Sequence, residues 1–187
     1  MANKTQMTTG KVRFSYLNVF EPRETQSGTL RYSATLLIPK KDKKTVSKIN
    51  AAIAAAKEAY ATKGKNGNGL KSTLHDGDGD KPNGGDYPPE CRGHYVLTVS
   101  SKEQPAIVYP DKKPLTLKRE LWSGCYGRAV IQFYVFEGSN RGITAGLLGV
   151  MKLYDGDPLG VGVATDEDWD DDYDDLDDDE EMVDPLA

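Results

Sequence analysis

Three stretches of this 187-residue chain set aromatic rings beside cations: Arg13 next to Phe14 and Tyr16, Arg31 next to Tyr32, and Arg128 near Trp122 and Tyr126 around a Ser123-Gly124 turn. Cations can follow a phosphate backbone while rings stack on unpaired bases, each stacked base being worth about 1–3 kcal/mol with little regard to its identity. The pairing points to a track for single-stranded nucleic acid. Against this stands the core: alternate positions of a barrel strand must face inward, so at least half of these rings are expected to be structural.

Charge separates the chain into two parts. Residues 166–187 carry fourteen Asp or Glu and no Lys or Arg. Of 29 acids and 24 bases in all, 15 acids and every base remain in residues 1–165, so the body is +9 and the tail −14. A block of like charge this dense repels itself and stays disordered. Its opening residues, Asp166, Glu167, Asp168, Asp170, Asp171 and Asp172 with the rings Trp169 and Tyr173, are the expected regulatory element, a tethered rival for whatever anion the body binds. The same run permits a different reading, an acidic interaction protein or histone-like chaperone whose tail binds basic partners.

The elements that must position these residues follow from periodicity. Val12, Phe14 and Tyr16 alternate with Lys11, Arg13 and Ser15, and Tyr32, Ala34, Leu36 and Ile38 alternate with Arg31, Ser33 and Thr35, which predicts a hairpin with Arg13 and Arg31 on its outer face. Asp42 is placed to cap a helix whose stripe is Val46, Ile49, Ile53, Ala56 and Tyr60. Lys43 is one of several lysines on that helix, and Lys40 ends the preceding strand; both are added as cationic contacts. Residues 64–93 are rich in Gly, Asn, Asp and Pro and read as a long mobile loop. Residues 94–101 form a strand, residues 115–122 a short one, and residues 129–136 and 143–154 a second hairpin in which Tyr134 shares the face opposite Ile131, Phe133 and Val135. Five or six strands, one helix and a long loop favour a mainly β, five-stranded barrel that hides its own edges.

Catalytic templates find no match. A phosphate-cradling Gly-x-x-x-x-Gly-Lys-Ser/Thr and a Gly-x-Ser-x-Gly are both missing, so nothing supports an enzyme or a cofactor. Asp76, Asp78 and Asp80 mimic the start of a calcium loop, but Lys81 and Tyr87 stand where Gly and Glu are required. Cys91, His94, Cys125 and His75 offer a four-ligand zinc set with one close pair instead of the usual two, so no metal is expected. No apolar stretch approaches the ~20 residues of a membrane span, and the polar N-terminus lacks a signal-peptide core, which predicts a soluble, intracellular protein.

The run Gly10-Lys11-Val12-Arg13-Phe14-Ser15-Tyr16 through Phe20-Glu21-Pro22 resembles tailed-phage single-stranded DNA-binding proteins. So do Tyr32-Ser33-Ala34, Leu37-Ile38-Pro39-Lys40, Gly93-His94-Tyr95, Ser123-Gly124-Cys125-Tyr126-Gly127-Arg128 and the glycine-spaced strand reaching Lys152-Leu153. The resemblance implies an oligonucleotide-binding (OB) fold over residues 10–157, a flexible N-terminus over 1–9 and a disordered acidic tail over 158–187. It further implies sequence-independent binding of single-stranded DNA in phage replication, recombination or repair, in the cytoplasm of an infected bacterium. Phage or host replication and recombination proteins would be partners of the tail, and self-association on DNA is compatible with the pattern. The tip, Met182-Val183-Asp184-Pro185-Leu186-Ala187, departs from the aromatic ending usual in proteins of this kind.

Overall fold

The protein is described here by a computed structural model covering residues 3–138 and 141–159. These form β1 (Gln6–Thr8), β2 (Val12–Glu24), β3 (Leu30–Pro39), α1 (Lys43–Thr62), β4 (Lys71–Ser72), β5 (Leu74–Asp76), β6 (His94–Ser101), β7 (Ala106–Val108), β8 (Tyr126–Phe136) and β9 (Gly142–Tyr154). β8 pairs with β2, β2 with β3, β3 with β6, β6 with β9, and β9 returns to β8. Five strands thus close into the expected ring. Its β6–β9 seam is parallel and its other four are antiparallel, while β1, β4, β5 and β7 extend the edges and raise the strand count to nine among the described residues.

The ring encloses Phe14, Leu36, Ile38, Leu97, Ile131, Phe133, Ile143 and Leu147, all essentially inaccessible. Each contributes about 1.5–3 kcal/mol by leaving water. Helix α1 closes one end: the Asp42 carboxylate accepts from Thr45 N at 3.1 Å and Thr45 Oγ1 at 2.6 Å, bonds that hold its pKa below the usual carboxylate range. Ile49, Ala52, Ala56 and Tyr60 form the buried stripe, and the two alanines keep the helix close to β8. Val46 and Ile53 flank that stripe and are only partly buried. No described helix is long and apolar enough to cross a membrane.

Four expectations need correction. The N-terminus is not flexible throughout: Gln6–Thr8 pair with β8, Met7 and Thr9 are buried, and Thr9 exchanges backbone and hydroxyl bonds with Ala129. Its polarity misled because those polar groups are satisfied internally. Residues 64–93 are not a featureless loop. They hold β4, β5, a bridge between Asp80 and Asp86 and a 3-10 turn at Pro89–Cys91, and they bury Leu70.

Polar contacts order that segment where apolar area could not. Lys40 Nζ reaches Asp76 at 2.5 Å and Asp78 at 2.6 Å, and Asp78 also accepts from Gly93 N at 3.0 Å. A Cβ on Gly77 would overlap the Cys91 carbonyl, so only glycine lets the segment's ends pass. The expected strand near 115–122 is instead a 3-10 turn at Lys118–Glu120 between buried Leu115 and Leu121.

The fourth correction concerns parity in β2. The pairing with β3 slips between Ser15 and Asn18, and Tyr16 sits at that bulge with φ +45°. Tyr16 therefore stands 64% exposed instead of facing inward, and the next residue, Leu17, packs on the core in its place.

Candidate nucleic-acid interface

The face of β2, β3 and β6 turned away from the core forms an ordered series of cross-strand rows. Arg13 pairs with Leu37 and Leu37 with Val96; Ser15 pairs with Thr35 and Thr35 with Thr98; Ser33 pairs with Ser100. Directly opposed residues share a face, so this surface has an apolar row at one end and hydroxyls along its middle. At the other end Arg23 stands opposite Arg31. Like charges directly opposed destabilise a ladder, and a bound anion reverses the sign of that interaction. Arg31 spends one donor on Ser100 Oγ at 3.2 Å, out of the five its guanidinium carries.

Two rings flank a groove in this face. Tyr16 and Tyr87 line it together with Ser15, Thr35, Leu37, Val96 and Thr98, and Lys81 lies 5.9 Å from the Tyr87 ring centroid. A bulky residue at positive φ is held there at a cost of about 1–2 kcal/mol, which is how strained ligand contacts persist. The groove has room for a base beside its rings; Lys81 is the cation in its lining, Glu90 the carboxylate, and Arg31 and Arg23 lie further along the same face. Burial pushes the Tyr87 hydroxyl up from its ordinary pKa, and burial followed by the negative charge of Glu90 pushes the Cys91 thiol up.

The residues anticipated from sequence divide among several places. Arg31 is on this face. Arg13 is too, but its Nε donates to Gly124 O at 3.1 Å and its Nη2 to Asp157 O at 2.8 Å, so it clamps backbone. Tyr126 lies beside it, 5.3 Å from ring centroid to guanidinium, and opposite Tyr154, with Lys11 Nζ 5.8 and 5.7 Å from the two rings. Trp122 donates to Gly156 O at 2.9 Å and carries Lys152 4.7 Å from its ring centroid, which makes it a structural anchor.

Other positions fall away from the groove. Tyr32 shares the parity of buried Ala34 and Leu36, so it belongs to the opposite face. Arg128 donates to Thr9 O at 2.9 Å and ties β1 to β8. Tyr134 is 40% exposed, but lies eight residues along β8 from Tyr126, about 27 Å, beside α1. Lys40 is committed to Asp76 and Asp78, whose carboxylates hold its pKa above the ordinary lysine value. Lys43 is exposed at the start of α1, which contacts β1, β8 and β9.

Cys125 is in the main core while Cys91 lies in a separate cluster on the outer face, and no group of three or more metal-ligating side chains occurs among the described residues. The acidic residues Asp166 to Asp172, with Trp169 and Tyr173, lie outside the described residues.

Sequence reasoning missed Arg23, Tyr16, Lys81 and Tyr87. Arg23 follows Pro22 in what reads as a turn, Tyr16 is displaced by a bulge that leaves no period to detect, and the other two lie in the segment read as a mobile loop.

Comparison with known proteins matches this arrangement to phage proteins. Protein p50 of Acyrthosiphon pisum secondary endosymbiont phage 1 is 31% identical over 174 residues, spanning 86% of this chain and 90% of that protein. The single-stranded DNA-binding protein from bacteriophage Enc34, solved in complex with ssDNA, superposes with a TM-score of 0.72 at 27% identity, covering 84% of this chain and 91% of that one. The bacteriophage T7 single-stranded DNA-binding protein gp2.5 shares the fold at a TM-score of 0.59 and 16% identity, covering 94% and 99% of the two chains. A family profile described as Enterobacter phage Enc34, ssDNA-binding protein matches residues 5–183, and with that span of the sequence accounted for, the chain belongs to this family of phage single-stranded DNA-binding proteins.

Proposed function

We propose that the chain binds single-stranded DNA without sequence preference along the outer face of β2, β3 and β6, and that its acidic tail competes with the strand for that face. The observation that carries the reading is the cross-strand pair of arginines, Arg23 opposite Arg31, beside a hydroxyl floor and two groove tyrosines. Phosphates relieve the repulsion between the arginines, bases stack on Tyr16 and Tyr87, and Ser and Thr hydroxyls take either donor or acceptor role toward any base edge. Membership of a family whose Enc34 relative was solved in complex with ssDNA supports the same ligand. No catalytic step is needed for this work.

The +9 body and −14 tail give the regulation its sign. Such a protein serves phage DNA replication, recombination or repair in the cytoplasm of the infected bacterium, coating exposed strands while the displaced tail, with its apolar tip at residues 182–187, recruits replication and recombination proteins. The test is a salt-resolved titration of single-stranded against double-stranded DNA by the full chain and by a chain lacking residues 166–187. Truncation is expected to raise affinity for oligo-dT most at low salt, where charges are least screened. Equal binding by the two chains, or binding by neither, overturns the proposal.

A further inference from the structure

The chain does not leave the barrel freely after β9. Residues 155–159 turn back across the Ser123-Gly124 corner and run onto the same outer face that holds the groove. Four contacts fix this path: Arg13 Nη2 donates to Asp157 O at 2.8 Å, Trp122 Nε1 donates to Gly156 O at 2.9 Å, Leu159 N donates to Ser123 O at 2.9 Å, and Gly156 lies against Gly124. Side chains are excluded at that crossing. A Cβ on Gly124 would overlap the Asp157 carbonyl, and one on Gly156 would overlap the Gly124 carbonyl and meet the Tyr126 ring at 2.9 Å.

The path ends with Leu159 packed against the cluster formed by Leu37, Cys91 and Val96, on which Tyr87 also packs. These four residues also line the groove. Leu37 and Val96 are the apolar row of the face, the part that offers no hydrogen bond and suits the flat surface of a base. The protein's own leucine packs against the cluster that contains this row, beside the groove and not among its lining residues. Beyond the strap, on the side of Arg13 away from Leu37, lie Tyr126, Tyr154 and Lys11, so the strap stands between two sets of rings on one continuous face.

We infer that residues 155–159 form an apolar strap whose Leu159 occupies a base subsite on Leu37 and Val96, and that a single strand must lift it to run from the groove to the Tyr126 and Tyr154 rings. The inference rests on the single-stranded DNA reading and adds a second barrier to it, distinct from the charge of residues 166–187. Electrostatic competition fades as salt screens it, whereas displacement of an apolar side chain does not.

Two variants in the full-length chain test this. Leu159→Ala empties the seat, and Gly156→Ala pushes the strap off Gly124 by a separate route. The first measurement needs no DNA: the rate of Cys91 alkylation by iodoacetamide, read by peptide mass, is expected to rise in both variants because Leu159 packs on the cluster that contains that thiol. The second is oligo-dT affinity at low and high salt, with folding checked by thermal melting. Both variants are expected to bind about fivefold tighter, the factor that corresponds to losing roughly half of a leucine's burial, and to keep that gain at high salt. Unchanged Cys91 reactivity overturns the seat assigned to Leu159. Faster alkylation with unchanged affinity overturns the claim that the seat lies on the strand's path. If wild type and variants all fail to bind, the single-stranded DNA reading falls and the subsite with it, while the alkylation rates still report whether the strap exists.

Discussion

Two regions of this face carry the same residue types and use them oppositely. Around Arg31, the cation faces another arginine, Tyr16 is held exposed at a bulge, and Tyr87 closes the groove from a folded loop. Around Arg13, the guanidinium is spent on the carbonyls of Gly124 and Asp157, and Trp122 is spent on Gly156. The first region is left electrostatically and sterically unfinished; in the second the Arg13 and Trp122 donors are already spent within the chain. A cation beside a ring is thus a binding signal only where backbone carbonyls have not already claimed the donors.

The largest expected separation comes from Tyr16. Replacing it with glycine removes a stacking surface and relieves the left-handed backbone. Affinity for oligo-dT should fall by about 1–3 kcal/mol while the melting temperature holds or rises. A loss of stability with unchanged affinity would make Tyr16 structural and erase the contrast. Next is Arg31→Ala, which should weaken binding to all sequences alike and lower the salt slope by about one, measured by titration across salt concentrations. The free fold should gain a few tenths of a kcal/mol as the repulsion with Arg23 disappears.

Arg13→Ala should behave in reverse, costing on the order of 1 kcal/mol of stability through its carbonyl bonds without loss of affinity. Equal losses of affinity in the Arg13 and Arg31 variants would break the comparison. The smallest effect is at the Lys40 staple that holds the groove-wall loop. Bonds to Lys40 lower the pKa values of Asp76 and Asp78, so their contribution is present above the ordinary carboxylate value near 4 and lost as pH falls through the lowered native values. Lys40 is shifted upward, so its share is complete below the ordinary lysine value near 10.4 and lost only as pH rises through the raised one. Protection of the Gly93 amide, measured as its exchange rate relative to the intrinsic rate at each pH, should fall over the acid window while that of the barrel amides holds.

Much of the frame is legible in the sequence because strand and helix periods are local. Val12 and Phe14, Leu36 and Ile38, Ile131 and Phe133, and the Asp42 cap all stand where their spacing places them. The site is less legible because its makers act at a distance. Tyr16 is exposed by a register slip against β3, and Arg23 matters because β3 brings Arg31 across from it. Lys81 and Tyr87 reach the groove because Lys40 and Gly77 fold a segment that composition alone marks as unstructured. Arg13 and Trp122 mislead for the converse reason, since the carbonyls that claim them belong to residues far along the chain.

The ring closes where Val12 pairs with Gly127 and Arg13 with Tyr126, a seam joining the first long strand to the fourth. The two hairpins, β2 with β3 and β8 with β9, are built from near neighbours and can form early, whereas this seam must bring together residues more than a hundred positions apart and bears the loop-closure entropy of everything between. The face that Arg13 and Tyr126 share is therefore expected to form late in folding. A chain in which this seam has not formed is expected to hold Arg13 and Tyr126 apart, and pulse-labelled amide exchange comparing Val12 and Gly127 with the two hairpins would check that order.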